Sequence, residues 1–227
     1  MKETDIRPEG IFKEYLKLCE KDSKKFFSSA KTEKINCPAC DSRGKKVIEK
    51  NGFSYDECPV CRTLYVNPRP SALSFKDFYE NSESSKFWAT TFYKKTEDTR
   101  RKSLWVPKVK RIDEIIKNLS LVDATIIDIG GGYGTFIEEL NKINFQNKII
   151  IEPTDHLSKI CQNKNINVIK KFLESVAVSD LPKSKIIFTS FELFEHLHSP
   201  KEFLNKLHHL MKDNDYFYFT TLSGLGV

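Results

Sequence analysis

Four of the six cysteines stand as two pairs, Cys37-Pro-Ala-Cys40 and Cys58-Pro-Val-Cys61. A Cys-x-x-Cys pair offers two sulfurs to one ion. Two such pairs close a tetrahedral shell around zinc and leave no position for a substrate water. The chemistry expected of Cys37, Cys40, Cys58 and Cys61 is therefore structural metal binding. Free or redox-active thiols are the alternative, and the hairpin between the pairs, which a ribbon requires, weighs against them. Cys19 and Cys161 sit apart, in helix-like stretches beside apolar neighbours.

A second constellation follows the apolar run Ile126-Ile127: Asp128-Ile-Gly130-Gly131-Gly132-Tyr133-Gly134. A glycine turn between a strand and a helix lets a ligand approach the backbone, since a side chain at Gly130 or Gly132 would collide with it. The spacing discriminates between ligands. The dinucleotide fingerprint G-x-G-x-x-G, started at Gly130, needs glycine where this chain has Thr135. The chain reads Asp-x-Gly-x-Gly-x-Gly instead. Glu152 ends the next apolar run about 20 residues further on, where a carboxylate can accept hydrogen bonds from both hydroxyls of a ribose. The blander alternative is a glycine turn beside a solvated glutamate. A third stretch, Phe191-Glu192-Leu-Phe194-Glu195-His196-Leu-His198-Ser199-Pro200, falls at the C-terminal edge of an apolar run, where open parallel sheets place their reaction centres.

The elements that must position these residues follow from periodicity. Ile11, Phe12, Tyr15, Leu16 and Cys19 recur at helical spacing and predict an amphipathic helix over 9–27. Val47-Ile48-Glu49, the Asn51-Gly52 turn, Phe53-Ser-Tyr55 and Leu64-Tyr65-Val66 predict a three-stranded zinc ribbon. Asn67-Pro68-Arg69-Pro70 breaks regular structure, and the aromatic-rich stretch after it predicts linker helices and a lid. From Val109 onward, unbroken apolar runs (Ile126-Ile127, Ile149 to Ile151, Ile186 to Phe188, Tyr216 to Phe219) alternate with helically spaced segments. Strands buried on both faces and alternating with helices imply a doubly wound, mainly parallel α/β sheet. The last helix is expected to begin at Ser199-Pro200-Lys201-Glu202, with Ser199 capping and Glu202 closing a capping box. The expected division is an N-terminal helix (1–34), a zinc ribbon (35–70), aromatic linker helices (71–107) and an α/β domain (108–227).

Composition narrows the partners. With 39% hydrophobic and 30% charged residues, the 227-residue chain suits one sizeable soluble domain plus a smaller one. No apolar run approaches the length of a membrane span, and Met1 to Asp5 is followed by no apolar segment, so a cytoplasmic location is expected. The net charge of +6 comes from 37 basic residues mixed among 31 acidic ones, which is weak evidence for nucleic acid and suits anionic small molecules equally.

The Asp128 to Gly134 segment resembles the first motif of class I S-adenosylmethionine (SAM)-dependent methyltransferases. With the cysteine pairs, Phe78-Tyr79-Glu80, Phe87-Trp88, Phe92-Tyr93 and Phe191 to His196, residues from about 35 to 224 are similar to the bacterial members that carry an N-terminal cysteine-rich domain and methylate sugars. The resemblance implies a Rossmann-like fold and SAM as cofactor. It places Asp128, Gly130, Gly131, Gly132, Gly134 and Glu152 against the cofactor, with Phe191 and Glu192 alongside. Glu195 and His196 would face a small-molecule acceptor, a sugar or nucleotide-sugar. His196 suits removal of the acceptor proton, or else only packs at the helix start. Tyr79, Trp88 and Tyr93 would form a substrate wall, or serve as core. The basic stretch Lys94-Lys95, Arg100 to Lys102 and Lys108 to Arg111 could meet a diphosphate, or form a solvated face. The resembled fold continues past the Tyr216 to Thr221 strand with a helix and an antiparallel strand pair. The domain is thus expected to be incomplete at its C-terminus, with an open sheet edge able to pair two copies.

Two rivals stand beside this reading. An RNA methyltransferase would grip nucleic acid through the ribbon, but Phe191 to His196 lacks an Asn-Pro-Pro-Tyr-like segment and Cys161 follows Ile160 rather than proline. A shortened, non-catalytic SAM-binding scaffold is the other.

Overall fold

The computed structural model describes residues 3–222, which divide into two compact units at Arg100 and Arg101. The first unit begins with α1 (Glu3–Ile6) and the long α2 (Glu9–Phe27). β1 (Thr32–Glu33) leads to the ribbon strands β2 (Lys45–Lys50), β3 (Phe53–Glu57) and β4 (Leu64–Val66), and β5 (Arg69–Pro70) returns to pair with β1. The ribbon is antiparallel in the order β2-β3-β4. Asn51 and Gly52 both adopt positive φ, 53° and 82°, as the two-residue turn joining β2 to β3 requires. Helices α3 (Ala72–Asn81), α4 (Glu83–Phe87) and α5 (Tyr93–Arg100) complete the unit, with a π-helical turn over Trp88–Phe92.

Rings hold this unit together. Phe27 on α2 lies 5.5 Å from Phe53, 5.2 Å from Phe75 and 5.3 Å from Phe78. Trp88 stacks on Phe92 at 4.4 Å, and both face Tyr15. Phe92 and Tyr93 are buried, so of the aromatic linker residues these belong to the core, whereas Tyr79 is half exposed. The helical face of α2 departs from simple periodicity. Leu16 is 48% exposed, while Asp22 is buried because its carboxylate accepts the Ser84 amide (2.7 Å) at the start of α4.

The second unit opens with a π-helical turn (Arg101–Trp105) running into α6 (Val106–Asn118), whose first turn accommodates Pro107. Then β6 (Thr125–Ile129), α7 (Thr135–Asn141), β7 (Lys148–Ile151), α8 (Asp155–Asn163), β8 (Asn167–Ile169), β9 (Ile186–Phe191), α9 (Pro200–Leu210) and β10 (Tyr216–Thr220) follow. All five strands are parallel, in the order β10-β9-β6-β7-β8. The sheet is doubly wound, with its order reversing at β6, and a ligand crevice belongs beyond the C-terminal ends of β6 and β9. Every residue of β6 and β9 is buried. One face of the sheet packs Ile112, Ile116, Phe136 and Leu140, and the other packs Phe188, Phe203, Leu207 and Leu210.

One strand was not expected from sequence, and one expected cap fails. β8 has no long apolar run; its three residues, Asn167-Val168-Ile169, join the sheet by pairing with β7. Ser199 precedes α9 but makes no side-chain cap, because its backbone sits at ψ 81° rather than in the extended region from which a hydroxyl reaches the third amide. The expectation that the domain is incomplete at its C-terminus concerns residues outside those described.

Candidate functional site

The ribbon brings its four cysteines together. Their sulfurs all lie within 4.8 Å of one another, with Cys37 to Cys61 at 3.5 Å and Cys40 to Cys58 at 3.4 Å. Zinc–sulfur bonds of ~2.3 Å in a tetrahedron separate ligands by ~3.8 Å, so the cluster fits that ion. Each pair is held by the same backbone device. The Cys37 carbonyl accepts the Asp41 amide (2.9 Å) and the Cys58 carbonyl accepts the Arg62 amide (3.0 Å). In turn Cys37 and Cys58 donate to the carbonyls of Ser42 and Thr63, both at 2.9 Å. Asp41 and Arg62 take φ of 62° and 65° to close the two turns, so the knuckles are near copies of each other. Hydroxyls two residues past each second cysteine favour the thiolates. Thr63 pulls the Cys61 thiol down to about 6, and Ser42 lowers that of Cys40. Burial pushes Cys37 up to about 11.

In the second unit, the loop after β6 carries Gly130, Gly132 and Gly134 at φ of 71°, 53° and 72°. The three have different neighbours. A Cβ at Gly130 would meet Leu193 at 3.0 Å, and one at Gly134 would meet Ile166 at 2.7 Å and Cys161 at 3.2 Å. Only Gly132 faces open space, so only there is the room left for an approaching ligand; at the other two, packing demands glycine. Gly131 is confined by Ile150 and by the Asp128 carboxylate.

Two buried carboxylates flank this loop. Asp128 is 3% exposed and accepts the Thr189 hydroxyl at 2.8 Å, and burial pushes it up to about 7, partly offset by Thr189 and Lys108. Glu152, at the end of β7, accepts the Gly132 amide at 3.2 Å and the Thr154 amide at 3.0 Å. Burial raises its pKa, against the pull of those amides. A carboxylate has about four acceptor directions, so two amides leave capacity for two hydroxyl donors.

Phe191 closes β9 and packs edge-on to Phe136 (4.7 Å) and Trp105 (5.8 Å). Glu192 turns the chain at φ 54° and accepts from the Thr220 hydroxyl (2.9 Å) and Lys108 (3.3 Å). Glu195 and His196 form an exposed helical turn, and Glu195 accepts from Thr221 at 3.0 Å.

Three contributors were not expected in these roles from sequence, although two of them belong to the basic stretch. Thr189 reads as one polar residue in an apolar strand, yet it is the partner of Asp128. The Lys108 ammonium lies over the rings of Trp105 (4.8 Å) and Phe191 (4.9 Å), with its side chain 16% exposed. Arg101 bridges Glu138 (2.9 Å) and Glu139 (2.7 Å) behind the glycine loop. These two members of the basic stretch are therefore packed and paired rather than solvated.

Residues 98–225 match a family described as a methyltransferase domain. None of the curated proteins matches the sequence. Among solved structures, the chain is similar to the plantazolicin methyltransferase BpumL in complex with a pentazolic desmethylPZN analog and SAH, with 14% identity over 66% of this chain and 57% of that one, at a TM-score of 0.49. DesVI of Streptomyces venezuelae is 11% identical over 52% of this chain and 51% of its own, at 0.44. A SAM-dependent methyltransferase from Archaeoglobus fulgidus is 21% identical over 48% and 51%, at 0.36. The chain thus spans 57% of the length of BpumL.

Proposed function

The chain belongs to this methyltransferase-domain family, and from that premise we propose that it transfers a methyl group from SAM to a small-molecule acceptor. The observation that carries the reading is the buried carboxylate of Glu152, anchored to the backbone of the glycine loop at Gly132. It offers its remaining lone pairs to the two hydroxyls of a ribose. Asp128, joined to Thr189 beneath the loop, presents a second acceptor for N–H donors of the same ligand. Gly132 leaves the space for a backbone approach, and Phe191 with Glu192 lines the adjoining wall.

SAM supplies an electrophilic methyl group on a sulfonium. The tasks left to the protein are alignment, exclusion of water and removal of the acceptor's proton. His196 is the base of this proposal, with Glu195 beside it on the same exposed turn. The acceptor is a sugar or nucleotide-sugar, a reading supported by the resemblance of the cysteine-rich N-terminal region and of Phe191 to His196. The four cysteines hold zinc in a structural role, with all four positions filled by thiolates. Among the described residues no helix is long and apolar enough to cross a membrane.

The test is calorimetric titration of SAM into the zinc-loaded chain. Saturable binding is expected, weakened at least about tenfold in Glu152→Ala through loss of the charge-assisted bonds to ribose. A folded, zinc-containing chain that binds no SAM overturns the reading.

A further inference from the structure

Beside the zinc knuckles, the ribbon carries a cleft of about 540 Å³ that no part of the proposed methyl-transfer chemistry uses. Lys34, Arg43, Gly44, Lys46, Asp56 and Asn67 are among the residues that line it. The lining therefore holds three cations and one carboxylate. Among the described residues, neither Lys34 nor Arg43 has a carboxylate within ion-pair distance, although both are exposed. Lys46 meets Glu49 at 3.0 Å in a contact exposed on both sides, which costs little to exchange. Elsewhere on the ribbon, Arg62 pairs with Glu57 and Arg69 with Glu33. The cleft thus gathers two cations without an ion-pair partner among the described residues and a third in an exposed, weakly held pair.

The acidic lining is preorganised. Asn67 accepts the Ile35 amide at 3.0 Å and donates to Asp56 Oδ2 at 2.6 Å, which fixes the carboxylate and leaves Oδ1 to a ligand donor. Asp56 is 9% exposed, so its position is set by packing as well as by this bond. Unpaired cations and a fixed acceptor in one cleft match a ligand with phosphates at one end and hydroxyl or N–H donors at the other.

We propose that this cleft binds a nucleoside diphosphate, with Lys34, Arg43 and Lys46 on the phosphates and Asp56 accepting from the nucleoside. A nucleoside diphosphate is the carrier portion of a nucleotide-sugar, and in that respect the assignment rests on the reading of such an acceptor. The buried Asp56 carboxylate and the small number of cations in the lining favour one small ligand over an extended nucleic acid, which needs a continuous basic face.

The experiment is titration of uridine diphosphate into the full zinc-loaded chain by calorimetry, with SAM titrated in parallel. Saturable binding is expected, reduced at least about tenfold by Arg43→Glu or Lys34→Glu through loss of a charge-assisted contact. Asp56→Asn should weaken it as well, and uridine without phosphates should bind far more weakly. Arg43 and Lys34 are exposed, and retained zinc content confirms the fold of each variant. No saturable binding, binding indifferent to the charge reversals, or tighter binding of oligouridylate than of uridine diphosphate overturns the proposal. If SAM binds while uridine diphosphate does not, only the cleft assignment falls; if SAM fails to bind, the methyl-transfer reading falls on its own measurement.

Discussion

Asp128 and Glu152 stand at the ends of adjacent parallel strands, and burial raises the pKa of both. Asp128 rises from an ordinary 3.8 to about 7 because burial outweighs the Thr189 bond. Between those values the folded protein holds a proton that the unfolded chain has released. Asp128 therefore favours folding most below 3.8, and that contribution is lost as pH rises towards about 7. The expected outcome is that Asp128→Asn, which keeps the Thr189 contact, gains Tm relative to the parent as pH rises through this window. Thermal melts of both proteins across the range check it; a constant difference would mean that Asp128 does not carry the shift. The glycines make a second expectation. Gly134→Ala forces a Cβ to within 2.7 Å of Ile166 at positive φ and should cost about 1–3 kcal/mol in denaturant unfolding. Gly132→Ala, with open space around it, should cost less in stability and more in SAM affinity.

At the scale of elements, the ribbon depends on its knuckles and on one glycine. A Cβ at Gly44 would lie 2.2 Å from the Tyr65 hydroxyl, which is buried on β4. Gly44→Ala is expected to displace Tyr65 and loosen the ribbon by about 1–3 kcal/mol, read as faster zinc release to a chelator. Three buried groups, Cys37, Cys58 and Tyr65, are most of the ribbon's own core, so metal coordination must supply much of its stability. In the second unit, the parallel order of β6, β7 and β9 brings the ends of those strands together and sets the glycine loop beside Glu152. Much of this was legible beforehand. Asn51-Gly52, the cysteine spacing and the buried runs marked their elements because each depends on a local rule of turn chemistry, ligand geometry or burial. β8 and the capping of α9 were not legible in the same way, since a three-residue strand is defined by its neighbour and a cap by the backbone angle at Ser199.

For the whole molecule, two compact units with separate cores imply separable responses. Chelation of zinc should lower the melting transition of the first unit and leave that of the second, while SAM should raise only the second. Differential scanning calorimetry with each addition distinguishes this from a single cooperative transition shifted by both. The sequence by itself determined the α/β class, the ribbon, the cysteine set and the glycine turn with Asp128 and Glu152, because residue type and short-range spacing specify each of these. Only the tertiary structure decided the partners. Thr189 meets Asp128 across 61 positions of chain, and Lys108 reaches Glu192 across 84. It also decided that Gly130 and Gly134 answer to Leu193 and Ile166, and that Lys34 and Arg43 share a cleft with Asp56. Such contacts come from strand order and chain crossovers, which bring distant residues together without leaving a periodic mark in the sequence.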